Sequence, residues 1–130
     1  MKESSGIIVQ FNDRVLLCQR SDNGKWAIPM GGVEENEDPM DAAYREFYEE
    51  TNLEIVEPIK YLGKIKRYKS GKIKSELNLF IFEVNEEIEP NLGHAQDGHE
   101  HTECGYFSIE EIEDLNMVVG LKDFIFKIIS

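Results

Sequence analysis

Apolar residues recur along this chain with two different periods, and each change of period marks a new element. Ser5–Phe11 and Arg14–Arg20 are apolar runs joined by Asn12-Asp13, which reads as a hairpin. Ser21-Asp22-Asn23-Gly24 is made of turn formers, and Trp26–Ile28 is a short strand entering a loop at Gly31-Gly32. Asp38-Pro39 offers a capping carboxylate and a proline whose missing N–H is harmless in the first helical turn. A helix is therefore predicted over 39–51. Ala43 and Phe47, four residues apart, give that helix an apolar stripe.

From Glu54 to Val84 the pattern is that of strands. Tyr61 and Ile65 alternate with Lys60, Lys64 and Lys66, as in a half-exposed strand, whereas Leu77–Phe82 is apolar on both faces and belongs at the centre of a sheet. Asn85–His101 is a long polar segment, of the kind that usually carries function. Ser108-Ile109-Glu110-Glu111 is a capping box, and a last amphipathic helix covers roughly 118–129. Runs of strands with one helix between them and helices at the end predict an α+β sandwich.

Composition sharpens the picture in three ways. A chain of 130 residues with 41% hydrophobic and 31% charged positions fits one globular domain, 1–130, with a core of its own. No apolar run approaches the ~20 residues of a membrane span, and MKESSG has no apolar signal region. Cys18 and Cys104 fit a reducing cytoplasm better than a disulfide framework, with Cys18 read as core, so a cytoplasmic location is expected. The net charge of −12 argues against stable nucleic-acid binding and suits a protein that collects divalent cations. Yet seven of the 14 basic residues fall between Lys60 and Lys74. They form a solvated hairpin face, a positive wall facing a polyphosphate, or an edge through which a homodimer pairs.

The densest chemistry is REFYEE, residues 45–50. Glu46, Glu49 and Glu50 share one helix face as immediate neighbours, in the last turns, where the helix dipole opposes negative charge. Each like-charge pair costs about 0.2–0.5 kcal/mol on an exposed helix. A hard divalent cation such as Mg²⁺, held by a few carboxylates together with substrate phosphates, offsets that cost. Arg45, four residues before Glu49, is spaced to hold that carboxylate in position. An ordinary solvated acidic face explains the three glutamates alone about as well, but not the glycines and the arginine at these spacings. His94, His99, His101 and Cys104 are soft enough for zinc, though their spacing matches no standard zinc pattern.

Gly31, five residues, Glu37, seven residues and then Arg45-Glu46-Phe47-Tyr48-Glu49-Glu50-Thr51-Asn52-Leu53 resembles the Nudix box, G-x5-E-x7-R-E-U-x-E-E-x-G-U with U apolar, of the MutT-like pyrophosphohydrolases. The departure is Asn52 in place of glycine, at a helix end where asparagine is the next residue able to turn left-handed. Met30 and Asn36 also replace glycines of looser preference.

The resemblance implies a mixed sheet between helices, an α/β/α sandwich. It further implies metal ligation by Glu46, Glu49, Glu50 and the backbone carbonyl of Met30, with Arg45 orienting and Glu37 structural or in the outer shell. Mg²⁺ is the implied cofactor, with Mn²⁺ able to substitute. Gly31 and Gly32 let the backbone fold tightly beside the metal. The base that activates water is either a box glutamate such as Glu49 or a later acid, Glu100 or Glu103. Arg20 resembles a position where relatives bind phosphate, with a surface salt bridge as the alternative; Trp26 or Tyr68 is a candidate to stack on a nucleobase, though a lone tryptophan before a buried turn is more often core.

The expected reaction is hydrolysis of a pyrophosphate bond in a nucleoside diphosphate linked to another group, with a MutT-type nucleoside triphosphate pyrophosphohydrolase first. ADP-ribose or nucleotide-sugar hydrolysis ranks second, weakened because no proline occurs between Pro58 and Pro90. Tyr68 suits a dinucleoside polyphosphate hydrolase. A non-catalytic nucleotide sensor is the alternative of a different class, but such domains lose box carboxylates and this chain keeps them.

Overall fold

A computed structural model describes residues 2–90, 101–118 and 120–129. The elements in chain order are β1 (Lys2–Phe11), β2 (Arg14–Arg20), β3 (Trp26–Ala27), β4 (Met30–Gly32), α1 (Pro39–Thr51), β5 (Lys60–Lys69), β6 (Lys72–Val84), β7 (His101–Ser108), α2 (Ile109–Glu113) and α3 (Leu121–Ile129). The strands form one mixed sheet in the order β3-β2-β1-β6-β5, with β4 added to β1 and β7 to β2. β1 and β6 run parallel, Lys2 opposite Ser75 through Phe11 opposite Val84. The pairs β1–β2, β1–β4, β2–β7 and β5–β6 are antiparallel.

Strand alternation builds two cores from one sheet. Ile7 and Val9 of β1, Leu16 of β2 and Phe80 of β6 pack with Ala43 and Phe47 of α1. Ile8, Val15, Leu17, Leu77 and Leu79 emerge on the opposite face and pack with Ile112, Leu121 and Ile125 of the carboxyl-terminal helices. The central strands are apolar on both faces because both faces are covered. The α+β sandwich with helices on either side of a mixed sheet is as expected.

Helix α1 has the limits its local signals predict. Asp38 Oδ1 accepts the Met40 N–H at 2.8 Å, and Pro39 occupies the first turn. Asn52 ends the helix with φ 58°, its N–H donating to the Tyr48 carbonyl at 2.8 Å. Asparagine thus does the work expected of glycine there.

Three local expectations change. Met30–Gly32 is a strand, not a loop, because it pairs with Ser4–Gly6. Glycine at position 6 makes that pairing possible, since a Cβ there would collide with the Met30 side chain. Helix α3 begins at Leu121 and not at 118, because the preceding residues are engaged elsewhere. Trp26 donates to Asn116 and accepts from Val118, and Gly120 turns left-handed at φ 87° before the helix can start.

The third correction concerns the cysteines. Cys18 on β2 and Cys104 on β7 face each other in register and form a disulfide, joining residues 86 apart in sequence. They are not the two free thiols the sequence suggested, and Cys104 is therefore not free to serve as a zinc ligand. No helix among the described residues is long and apolar enough to cross a membrane.

Candidate active site

Helix α1 packs on β1 through Ala43 and Phe47, and that packing fixes which face it turns toward β4. Glu46 and Glu50 lie beside the buried stripe and are 8% and 3% exposed. Two carboxylates are seldom placed so deep unless something compensates their charge.

Arg45 is the first compensation. Its Nε and Nη2 donate to the two Glu37 carboxylate oxygens at 2.8 and 2.9 Å, and Nη2 also donates to the Gly32 carbonyl at 2.8 Å. Its Nη1 donates to Glu46 at 2.9 Å and to Glu49 at 3.1 Å. One guanidinium thus ties the β4 turn, the loop glutamate and the helix glutamates together. The Glu37 hydrogen bonds hold the guanidinium pKa above its ordinary value and, reciprocally, Arg45 holds the Glu37 carboxyl below the usual carboxylate range. Glu37, read from sequence as structural or outer-shell, is the main partner of Arg45. The pairing of Arg45 with Glu49 is present as the spacing suggested.

A single cation cannot balance this set. Glu34, Glu37, Glu46 and Glu49 all lie within ion-pair distance of Arg45, and Glu50, which lines the cleft, lies in the field of Arg20. The donors are all hard oxygens, which suits a divalent cation completed by phosphate oxygens. With Arg45 Nη1 lodged between Glu46 and Glu49, no three acidic, histidine or cysteine side chains among the described residues converge on one metal-binding point. The residues fit a metal shared with substrate, not a closed structural site.

Gly31 shapes the floor. A Cβ added there would land on the Glu46 carboxylate, whereas one added at Gly32 would meet nothing within 4 Å. Gly31→Ala is therefore expected to displace Glu46, costing about 1–3 kcal/mol and at least about tenfold in kcat. Gly32→Ala should be near wild type in both thermal melts and kinetics. Equal effects from the two would show that the Gly31–Glu46 contact is not what matters.

Glu34, Arg45, Glu46, Glu49 and Glu50 line one cleft of about 670 Å³, within the usual range for small-ligand sites, and Glu37 does not line it. Arg20, Met30, Gly31 and Gly32 also line it. Arg20 is clamped by Asp22, Nε to Oδ1 at 3.0 Å and Nη2 to Oδ2 at 2.9 Å. That bond raises its pKa, with a smaller contribution from the field of Glu50. Tyr68 is exposed on β5 and does not line the cleft. Trp26 packs edge-on against Phe107 at 5.0 Å as part of the core, not as a base platform. Glu103 stands exposed on β7 opposite Gln19. Glu100, His94 and His99 lie outside the described residues.

Sequence reasoning missed Lys2 and Lys25, which also line the cleft, and held Arg67 only as one of seven members of the basic cluster. Of the basic cluster between Lys60 and Lys74, only Arg67 does so; the other six do not. Lys64 pairs with Glu76 at 2.8 Å on the Lys-rich edge strand.

A mixed sheet between helices turns a glutamate-rich helix face and an arginine clamp into one cleft that basic residues also line. The sequence model of the NUDIX domain matches residues 2–128, and the chain belongs to that family. An RNA pyrophosphohydrolase of Pelagibacter ubique is 33% identical over 98% of this chain and 87% of its own length. An RNA pyrophosphohydrolase of Bartonella henselae is 46% identical over 45% of this chain and 40% of that protein, so this chain matches less than half of it. Among solved structures, a MutT NUDIX hydrolase from Burkholderia pseudomallei superposes with a TM-score of 0.79 at 18% identity, covering 98% of this chain and 97% of that one. That likeness is one of fold.

Proposed function

We propose that this Nudix hydrolase cleaves a phosphoanhydride bond of a nucleoside 5′-triphosphate, in the manner of a MutT-type pyrophosphohydrolase, with Mg²⁺ as cofactor and Mn²⁺ able to substitute. The observation that carries the reading is the single cleft in which Glu46, Glu49 and Glu50 face Arg20. Acidic groups to hold a cation and a basic group to meet phosphate are the two halves of a polyphosphate site.

Glu46, Glu49, Glu50 and the Met30 carbonyl would hold the cation, and Arg45 keeps Glu46 and Glu49 oriented. The cation supplies charge neutralisation at phosphate and a lowered pKa for bound water. Glu49 is the most open of the three carboxylates, its side chain 27% exposed against 11% for Glu46. It is the described residue best placed to take a proton from the attacking water. Glu100 is the second candidate for that role.

The Pelagibacter relative, matched over nearly its whole length, favours a second reading in which the anhydride is carried on an RNA end. A net charge of −12 is compatible with that only if the terminal phosphates alone enter the cleft. A non-catalytic sensor is disfavoured, because every box carboxylate is in place.

Incubating the protein with Mg²⁺ and a panel of nucleotides and 5′-triphosphate RNA, with products weighed by mass spectrometry, tests these readings together. Excess chelator is expected to stop hydrolysis while circular dichroism and the thermal midpoint stay unchanged, since the cation bridges to substrate and does not staple the core. Full turnover in chelator would sink the metal reading.

A further inference from the structure

Every Phe, Tyr and Trp of this chain, seven, five and one respectively, lies among the described residues, and none of them lines the cleft. A site that identifies a nucleobase commonly does so by stacking it on an aromatic ring and bonding its edge. Two of the polar side chains near the mouth are engaged with their own turn. Asp22 holds Arg20 with both oxygens, and Asn23 Oδ1 accepts the Lys25 N–H at 2.9 Å.

What the cleft does present is positive charge. Lys2, Arg20, Lys25 and Arg67 line it outside the glutamate helix. Two of them are set by the sheet: Lys2 on β1 and Arg67 on β5 both pair in register with Ser75 on β6. Residues paired in register emerge on the same face, so the two cations flank a serine in one row across three strands. Adjacent strands lie about 4.8 Å apart, which spreads the row over roughly 10 Å. Arg20 closes β2, and Lys25 ends the turn that leads from it to β3. On a chain of net charge −12, a lining in which five basic residues balance five acidic ones is a local relief that favours the entry of a polyanion.

We propose that the site reads the number of phosphates and not the base: its substrates are polyphosphate chains of three or more phosphates, whatever nucleoside they carry. The proposal rests on the phosphoanhydride reading of the same cleft and narrows it. Any stacking on a guanidinium would serve all bases alike, since each has a π-face.

Equilibrium binding separates the two levels of the argument. The wild-type protein is titrated calorimetrically with ATP, GTP, CTP, UTP, inorganic tripolyphosphate, ADP and adenosine, and turnover of the same compounds is measured with Mg²⁺. The four triphosphates and tripolyphosphate should bind within about threefold of one another, ADP at least about tenfold more weakly, and adenosine not detectably. The Lys2→Ala/Arg67→Ala pair should weaken all triphosphates by about tenfold and narrow the gap to ADP. Arg67→Lys, which keeps the charge, should restore most of that gap when combined with native Lys2. A preference of more than tenfold for one base, or tight adenosine binding, would overturn the proposal while leaving hydrolysis intact. Base-independent tripolyphosphate binding without turnover of any compound would instead uphold it and remove the hydrolytic reading.

Discussion

Glu49→Gln is expected to lower kcat by about a hundredfold or more, roughly 2.7 kcal/mol in the barrier, while the thermal midpoint holds or rises. Glutamine keeps the shape of the side chain and removes the charge that a metal or a proton needs. The fold loses little, because Arg45 retains Glu37, Glu46 and the Gly32 carbonyl. It gains relief from repulsion between neighbouring helix carboxylates, about 0.2–0.5 kcal/mol per pair. Steady-state kinetics beside a thermal melt is the measurement. A variant that melts early yet keeps its specific activity would show a structural role instead. Run in parallel, Glu103→Gln should stay near wild type, since that residue is exposed on β7. Glu100→Gln should lower kcat with little change in KM. If it alone is disabled and Glu49→Gln is not, the base is Glu100.

Arg45→Ala is expected to damage both activity and stability. It leaves Glu37 and Glu46 without the guanidinium between them and frees the Gly32 carbonyl that ties β4 to α1. Removing one member of a mostly buried ionic network costs about 2–3 kcal/mol, discounted for the 24% exposure of the Arg45 side chain. That corresponds to a fall of roughly 10 °C in Tm for a domain of this size. Arg45→Lys should recover little, because an ammonium cannot bond Glu37 with two parallel donors and reach Gly32 as well. Acid should mimic part of the loss. Glu37 has a depressed folded pKa, so its contribution is complete above its ordinary value near 4.5 and disappears as pH falls through the lower folded value. A stability profile in which Arg45→Ala shows the same acid limb as wild type would contradict this coupling.

The parts of this molecule that were legible in its sequence are those whose causes are local. Asp38, Pro39 and Asn52 specify where α1 starts and stops, and the spacing of Glu46, Glu49 and Glu50 sets their shared face without help from the rest of the chain. The parts that were not legible depend on which strands become neighbours. Cys104 meets Cys18 only because β7, returning after a long polar segment, docks on β2. Met30–Gly32 becomes a strand only because β1 offers it an edge. The basic cluster pointed to the right region but could not say that Arg67 would line the cleft and Tyr68, one position on, would not. That choice is made by the register of β5 on β6, which shifts between these two residues. Lys2 gave no signal at all; its role exists only beside Ser75.

The parallel pairing of β1 with β6 also dictates an order of assembly. Lys2 waits for Ser75 and Phe11 for Val84, so the domain's first strand finds its longest partnership only after the five elements up to β5 and then β6 have followed it. Until then β1 lacks that partner, and Ile8 waits longer still for the carboxyl-terminal helices that cover its face; closing so long a loop is slow compared with forming a helix or hairpin. During synthesis the exposed apolar strand is a hazard that a chaperone would recognise. A chain ending at Gly71 would retain α1 and each of its carboxylates, yet it is expected to show no cooperative melt, because the sheet that supports the helix would lack β6 and β7 and the opposite face its covering helices.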